Sequence, residues 1–249
     1  MSMKEGLKQL LRRLADKYET ADFLNGDPSW FMHQVEGDDN REAVAFVASV
    51  LSYGSRKQFL PKIQSILNAS GNDVHNWIKD GNFEDFMPER DASCFYRLYT
   101  VSQMNLFLKS YRKLMLEHGT LGGFVAHGKS GSALDALRLI SGYFSSQGVG
   151  VIIPKDTTSA CKRLCMFLRW MVRRDSPVDL GLWSGFIDRR TLIMPLDTHV
   201  MQQASELGLM KSRTATMSSA LALTRVMLEV FPDDPLRGDF ALFGLGVSS

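Results

Sequence analysis

The sequence predicts an all-α fold. Apolar residues recur every three or four positions through most of the chain, glycines stand where those runs stop, and alternating apolar/polar segments are scarce. With 249 residues, 45% of them hydrophobic, the chain can bury a sizeable core, either as one compact unit over 1–249 or as two lobes sharing a cleft. No internal repeat, low-complexity tract or flexible linker interrupts it.

The first expected helix, about Lys4 to Tyr18, places Leu7, Leu10, Leu11 and Leu14 on one face, as a packing helix. Two turn-rich clusters, NGDPSW and EGDDN, suggest an ordered loop over residues 25–40 around Trp30 and Phe31. Arg41 to Tyr53 is a strongly apolar helix that Gly54 stops, leaving Tyr53, Ser55 and Arg56 in a turn. Helices are expected at Lys57–Asn68 and Val74–Lys79, and NFEDFMPER reads as irregular. Apolar and aromatic positions from Phe95 to Met115 support one long or two abutting helices over Ala92–His118, their aromatics serving as core. Five glycines crowd residues 119–131, and Ser132–Ser145 is again helical. Gly148 and Gly150 lack the third glycine and the strand–helix context of a phosphate-binding fingerprint. Near the end, helices are expected at Thr198–Leu207, Thr216–Phe231 and Pro235–Leu245.

Between these lie the two most informative segments. After Pro154, with Thr157 or Thr158 as cap, SACKRLCMFLRWMVRR runs without glycine or proline and predicts a helix of about four turns. On a helical wheel Leu164, Phe167, Leu168 and Met171 oppose Lys162, whereas Met166, Arg169 and Arg173 line up with it. Six basic residues against Asp156 alone between 155 and 174 read as a solvated basic face or as a phosphate-facing surface. Further on, Asp197 stands just before a helical run that closes at Gly208, the position of an N-cap. A cap and a chemical role are compatible, because a carboxylate accepting backbone N–H bonds stays ionised and points in a fixed direction.

The overall charge of +2 is weak, so affinity for nucleic acid would have to come from that local patch. Three cysteines in a chain of this length argue against a disulfide framework and fit a reducing compartment. The charge-interrupted N-terminus is unlike a signal peptide and no 18-residue apolar run occurs, so a soluble cytoplasmic protein without membrane contact is expected.

A lysine in a helical hairpin, followed after an intervening segment by the Pro195-Leu196-Asp197-Thr198-His199-Val200 run that opens a helix, resembles the helix-hairpin-helix DNA glycosylases related to endonuclease III. The 35-residue spacing from Lys162 to Asp197 looks more like the archaeal 8-oxoguanine DNA glycosylases of that superfamily, and the chain is also similar to a bacterial group placed in it. The resemblance extends to Ala48–Arg56, which looks like the helix and turn facing the substrate base, and to Asp239–Gly246, which looks like the closing helix with a further acidic residue near the pocket. The usual hairpin glycines are replaced by IIPKDTTSACK, and the four-cysteine iron–sulfur motif of many relatives is absent, so no cofactor is expected.

The resemblance implies two lobes, approximately 41–175 and 1–40 plus 176–249, with Lys162 and Asp197 facing each other across their cleft. It implies excision of an oxidised purine such as 8-oxoguanine from double-stranded DNA. Lys162 then attacks the sugar and forms a Schiff base, Asp197 stabilises the developing positive charge, and abasic-site cleavage follows. DNA contacts are expected from Lys155, Thr157, Ser159, Arg163, Arg169 and His199. The substrate pocket is expected from Tyr53, Arg56, Met166, Trp183, Asp239 and Phe243, with Trp183 and Phe186 either stacking on a flipped base or simply packing.

Two other readings stay open. One is a DNA-structure-binding protein of the same fold without base excision. The other is a metal-dependent hydrolase using Cys161, Cys165 and His199, since residues four apart share a helix face. His33, His75, His118 and His127 have no ligand-like spacing and read as surface or packing histidines.

Overall fold

The computed structural model describes residues 3–248. It is predominantly helical, and among the described residues no helix is long and apolar enough to cross a membrane. Contacts divide the chain into two compact units. The terminal unit comprises the chain up to Asn25, Gly131–Leu137 and the chain from Thr157 onward; the central unit comprises Gly26–Ser130 and Arg138–Asp156. This differs from the sequence-based lobes: the segment carrying Lys162 belongs with the terminal unit, because its backbone and buried charges are satisfied there.

In the central unit a 3₁₀ turn at Pro28–His33 leads into α2 (Asp38–Leu51), α1 (Glu5–Tyr18) belonging to the other unit. Every residue of α2 from Glu42 to Leu51 is buried, as expected of a helix that is apolar all round. Around it pack α3 (Arg56–Ala69), α4 (Val74–Asp80), the short α5 (Phe83–Phe86), α6 (Val101–His118) and α7 (Leu121–His127), with the later part of α8 (Ala133–Ser146). Phe46 on α2 meets Tyr111, Phe144 and Phe107 at centroid distances of 5.0, 5.5 and 5.7 Å, which confirms those aromatics as core. Glu42 is a buried carboxylate, and it accepts backbone hydrogen bonds from Leu121 (2.8 Å) and Gly122 (3.1 Å) at the start of α7. That cap turns the glycine-rich 119–131 segment partly into helix.

The helix expected from Ala92 begins later, at Val101. A small antiparallel hairpin, β1 (Cys94–Tyr96) and β2 (Tyr99–Thr100), precedes it. Thr100 and Gln103 then form a capping box, the pattern T-x-x-Q being present in the sequence. The Tyr96 hydroxyl donates to the Tyr53 carbonyl, and the Tyr53 hydroxyl accepts from Leu98 N–H at 3.2 Å, clamping the hairpin to the turn after α2. Gly54 in that turn has φ +81°, a conformation that favours glycine, and a Cβ there would press on the end of the Arg97 side chain, 2.6 Å from its Nη1.

In the terminal unit the central element is α9 (Lys162–Val172), whose residues 164–172 are all buried except Met166. α10 (Thr198–Glu206), α11 (Met217–Leu228), α12 (Arg237–Ser248) and α1 complete it, with 3₁₀ turns at Ala21–Leu24 and Arg189–Thr191. α9 has about three turns rather than four. Its start is delayed because the backbone ahead of it is already paired: Ala160 N–H donates to Ala215 C=O at 3.1 Å and Met217 N–H to Thr158 C=O at 3.2 Å. Cys161, at the N-cap with φ +46°, turns the chain from that pairing into the helix.

The basic stripe of α9 is a buried ion network rather than a solvated face. Arg169 Nε meets Asp179 Oδ1 at 3.2 Å and its Nη1 meets Asp239 Oδ2 at 2.5 Å. Arg173 pairs with Asp179, with both oxygens of Asp234 through Nε at 3.0 Å, and with Glu19 at 2.5 Å. Arg237 closes the network on Glu19 (3.1 Å) and Asp16 (2.5 Å). Burial on its own would lower the Arg173 pKa, but Asp179, Asp234 and Glu19 outweigh it and hold the guanidinium charged. Glu19 likewise stays below the usual carboxylate range, because Arg173 and Arg237 overcome the effect of its burial. Phe240 lies under both guanidiniums, 4.5 Å from Arg169 and 5.1 Å from Arg173.

Breaking such a network from one side leaves buried charge uncompensated. Arg173→Met strands Asp234 and leaves Asp179 and Glu19 with one guanidinium each, Arg169 and Arg237, so urea denaturation is expected to show a loss of about 3–5 kcal/mol. A loss below about 1 kcal/mol, the range of exposed ion pairs, would contradict the buried network.

Candidate functional site

Lys162 and Asp197 each open a helix of the terminal unit, α9 and α10. The two carboxylate oxygens of Asp197 have separate tasks. Oδ1 accepts the Val200 N–H at 2.8 Å, which makes Asp197 the N-cap of α10. Oδ2 lies 3.5 Å from Lys162 Nζ. The Lys162 side chain is 38% exposed and that of Asp197 15%, so the ammonium is accessible while its carboxylate partner is largely enclosed. This arrangement can present an amine nucleophile and hold a negative charge beside a developing cation.

In the same unit the hydrophobic end of α12 meets α10. A Cβ added at Gly246 would lie 2.9 Å from His199 Cβ, so the helices approach closely there. The exposed His199 stands edge-on to Phe243 at 6.1 Å, and Phe243 is 5.7 Å from Phe23. Asp239, in the first turn of α12, is ion-paired to Arg169. Burial pushes its pKa up to about 6, with Arg169 pulling it down and the negative charges of Asp197 and Asp179 adding to the rise.

Several residues predicted from sequence take other roles. Arg169 is 3% exposed and committed to Asp179 and Asp239, so it is not a phosphate contact. Trp183 is 1% exposed and stacks edge-on against Phe167 at 5.2 Å; it is core, as the packing alternative had it. Its backbone N–H donates to the Met171 carbonyl, tying the segment after α9 back along that helix. Phe186 is half-buried beside it at 5.7 Å. Met166 and Arg163 are half-buried on α9, Thr157 is half-buried, and Ser159 is exposed in the paired segment ahead of α9. Lys155 is exposed in the central unit, which also holds Tyr53 and Arg56. Tyr53 is enclosed by Tyr96 and Tyr99, both at 5.1 Å, with Arg97 over its ring, and Arg56 pairs with Asp27 at 3.3 Å.

Among the described residues the metal reading finds no site. Cys161 and Cys165 are buried, their sulfurs facing the carbonyls of Ser159 and Ala160 at 3.4 Å. Burial raises the Cys165 thiol well above its usual range, which disfavours the thiolate a metal would need. Among the described residues no group of three or more His, Cys, Asp or Glu is spaced to hold a metal ion.

Missed from the sequence were Glu19, Asp179 and Asp234, the partners that bury the basic stripe. The available signal was the stripe itself: Arg169 and Arg173 stand in an otherwise apolar run with no acidic residue at helical spacing, so their partners had to come from elsewhere in the chain.

Residues 27–248 match the family described as "Protein of unknown function (DUF2400)", and the chain belongs to that family. No curated protein and no solved structure matches the chain.

Two outcomes are expected from these positions. Asp197→Ala removes the α10 cap and lowers stability by about 1 kcal/mol, whereas Asp197→Asn keeps an oxygen acceptor and costs only a few tenths, as thermal denaturation would resolve. For Asp239 the folded pKa lies above that of an unfolded aspartate, so ionising it opposes folding. Its favourable contribution is complete below about pH 4 and is lost as pH rises through about 6. Urea denaturation across that window is expected to show this slope in the wild type and its absence in Asp239→Asn.

Proposed function

We propose that the protein is a DNA base-excision glycosylase with abasic-site lyase activity. The single observation that carries this reading is the Lys162–Asp197 pair: an accessible lysine amine 3.5 Å from a carboxylate whose other oxygen is fixed as a helix cap. An amine attacks carbon only as the free base. Asp197 Oδ2 is the group placed to take its proton, to pass that proton to the departing base and, ionised again, to stabilise positive charge on the sugar. Lys162 Nζ bonds to the anomeric carbon, the damaged base leaves with its electron pair, and ring opening gives a Schiff base from which elimination breaks the strand. The base must leave the duplex stack for this attack, so the target is a flipped nucleotide in double-stranded DNA. The chain's own residues suffice for this sequence of steps, with no cofactor required. An oxidised purine such as 8-oxoguanine is the favoured lesion through the likeness of the Lys162 and Asp197 motifs to the archaeal 8-oxoguanine glycosylases.

Borohydride trapping on duplexes carrying 8-oxoguanine, an abasic site or no lesion tests the reading. A covalent adduct on the damaged duplex is expected, lost in Lys162→Gln and reduced at least 100-fold in rate in Asp197→Asn. An adduct on abasic DNA alone would keep the lyase and discard 8-oxoguanine. No adduct on any duplex, with DNA binding intact, would replace the enzyme by a DNA-structure-binding protein of the same fold.

A further inference from the structure

The central unit contains a polar cavity that the glycosylase reading does not use. It has a volume of about 580 Å³ and lies where the turn at residues 34–37, the first turn of α2 and the start of α4 come together. Its frame is built by internal capping. Asn40 Oδ1 accepts from the backbone of Val74 (2.9 Å) and His75 (3.3 Å), while its Nδ2 donates to the Asn72 carbonyl at 2.8 Å. Asp73 caps α4 through the Asn76 N–H at 3.2 Å and also accepts from Asn76 Nδ2 at 2.8 Å.

These bonds consume the frame's own polar groups and leave three ionisable acceptor groups open beside the ammonium of Lys79. Among the described residues the carboxylates of Glu36 and Asp39 have no hydrogen-bond or ion-pair partner, and both are exposed on the cavity lining. The third is the imidazole of His75. His75 is only 7% exposed, yet its ring nitrogens have no hydrogen-bond partner among the described residues; the residue lines the cavity, and the ring feels the charge of Asp39 on the same lining. Burial pulls its pKa below the usual imidazole value, against the opposing effect of Asp39, Asp73 and Asp80 and with Lys79 adding to the fall. The ring therefore offers a neutral nitrogen as an acceptor.

We propose that this cavity binds an organic ammonium ion of the polyamine type, held by the carboxylates of Glu36 and Asp39 and by the imidazole of His75. The open groups select this chemistry. An ammonium carries donors and no acceptors, matching two carboxylates and a ring nitrogen. An anion would face the three carboxylates of Glu36, Asp39 and Asp73 against the single ammonium of Lys79. A bound metal ion is disfavoured because no three ligating side chains converge among the described residues. The volume falls within the range of small-molecule sites and accommodates a multi-carbon chain rather than a single small cation.

Histidine ring ¹⁵N spectroscopy of the full-length protein without DNA tests the proposal independently of any glycosylase activity. Spermidine is titrated at constant ionic strength and pH 7.5, with magnesium chloride as the parallel titrant and His75→Gln to assign the resonance. A saturable spermidine-dependent shift of the His75 nitrogens is expected, absent with magnesium. The double variant Glu36→Gln/Asp39→Asn, altered only at exposed side chains, is expected to weaken the apparent Kd at least tenfold without changing Tm. The proposal is overturned if the shift fails to saturate, if magnesium reproduces it, or if the double variant binds as tightly as the wild type.

Discussion

Two guanidiniums in the core of the terminal unit are the constraint on which that unit depends. Arg169 and Arg173 are almost completely buried, and a charge removed from water is tolerable only when paired and hydrogen-bonded. Their partners come from four separate places: Glu19 just after α1, Asp179 in the segment following α9, Asp234 before α12 and Asp239 within it. The network therefore holds together segments that are far apart in sequence. Asp179 shows the balance of forces. Burial pushes its pKa up while both guanidiniums pull it back, and its two oxygens bonded to two arginines mark it as the ionised bridge.

The same constraint sets the direction of Lys162. Residues 162, 166, 169 and 173 form one stripe along α9, so anchoring Arg169 and Arg173 fixes the rotation of the helix about its axis. With that rotation fixed, the first residue of the helix points its amine at the cap of α10. Asp197 gains its orientation from the opposite direction, through the Val200 N–H that one of its oxygens accepts. A candidate reacting pair is thus held by a buried ion network on one side and by a helix cap on the other.

Much of this was legible in the residues. The positions of α1, α2, α4 and α10 follow from apolar periodicity and glycine or aspartate punctuation, because those signals act within a few residues of the elements they bound. The cap at Asp197 was legible for the same reason. The start of α9 was not: Thr157 and Thr158 are acceptable caps locally, and the pairing of Thr158 and Ala160 with residues 215–217 overrides them. Nor was the hairpin at Cys94–Thr100, which depends on the distant carbonyl and hydroxyl of Tyr53.

By itself the sequence determined the helical class, most helix positions and the cap at Asp197, since each is written in local spacing and residue type; the pairing of Lys162 with Asp197 was only implied by a family resemblance. Only the tertiary structure decided which charges reach solvent. A helical wheel groups Lys162, Arg169 and Arg173 on one face, and whether that face meets water or carboxylates depends on residues 19, 179, 234 and 239, whose proximity no local pattern encodes. The same holds for Trp183, whose ring is equally suited to a base or to a core until Phe167 closes over it. Burial is a property of contacts between distant segments, and it is burial that turned a basic surface into an internal ion network.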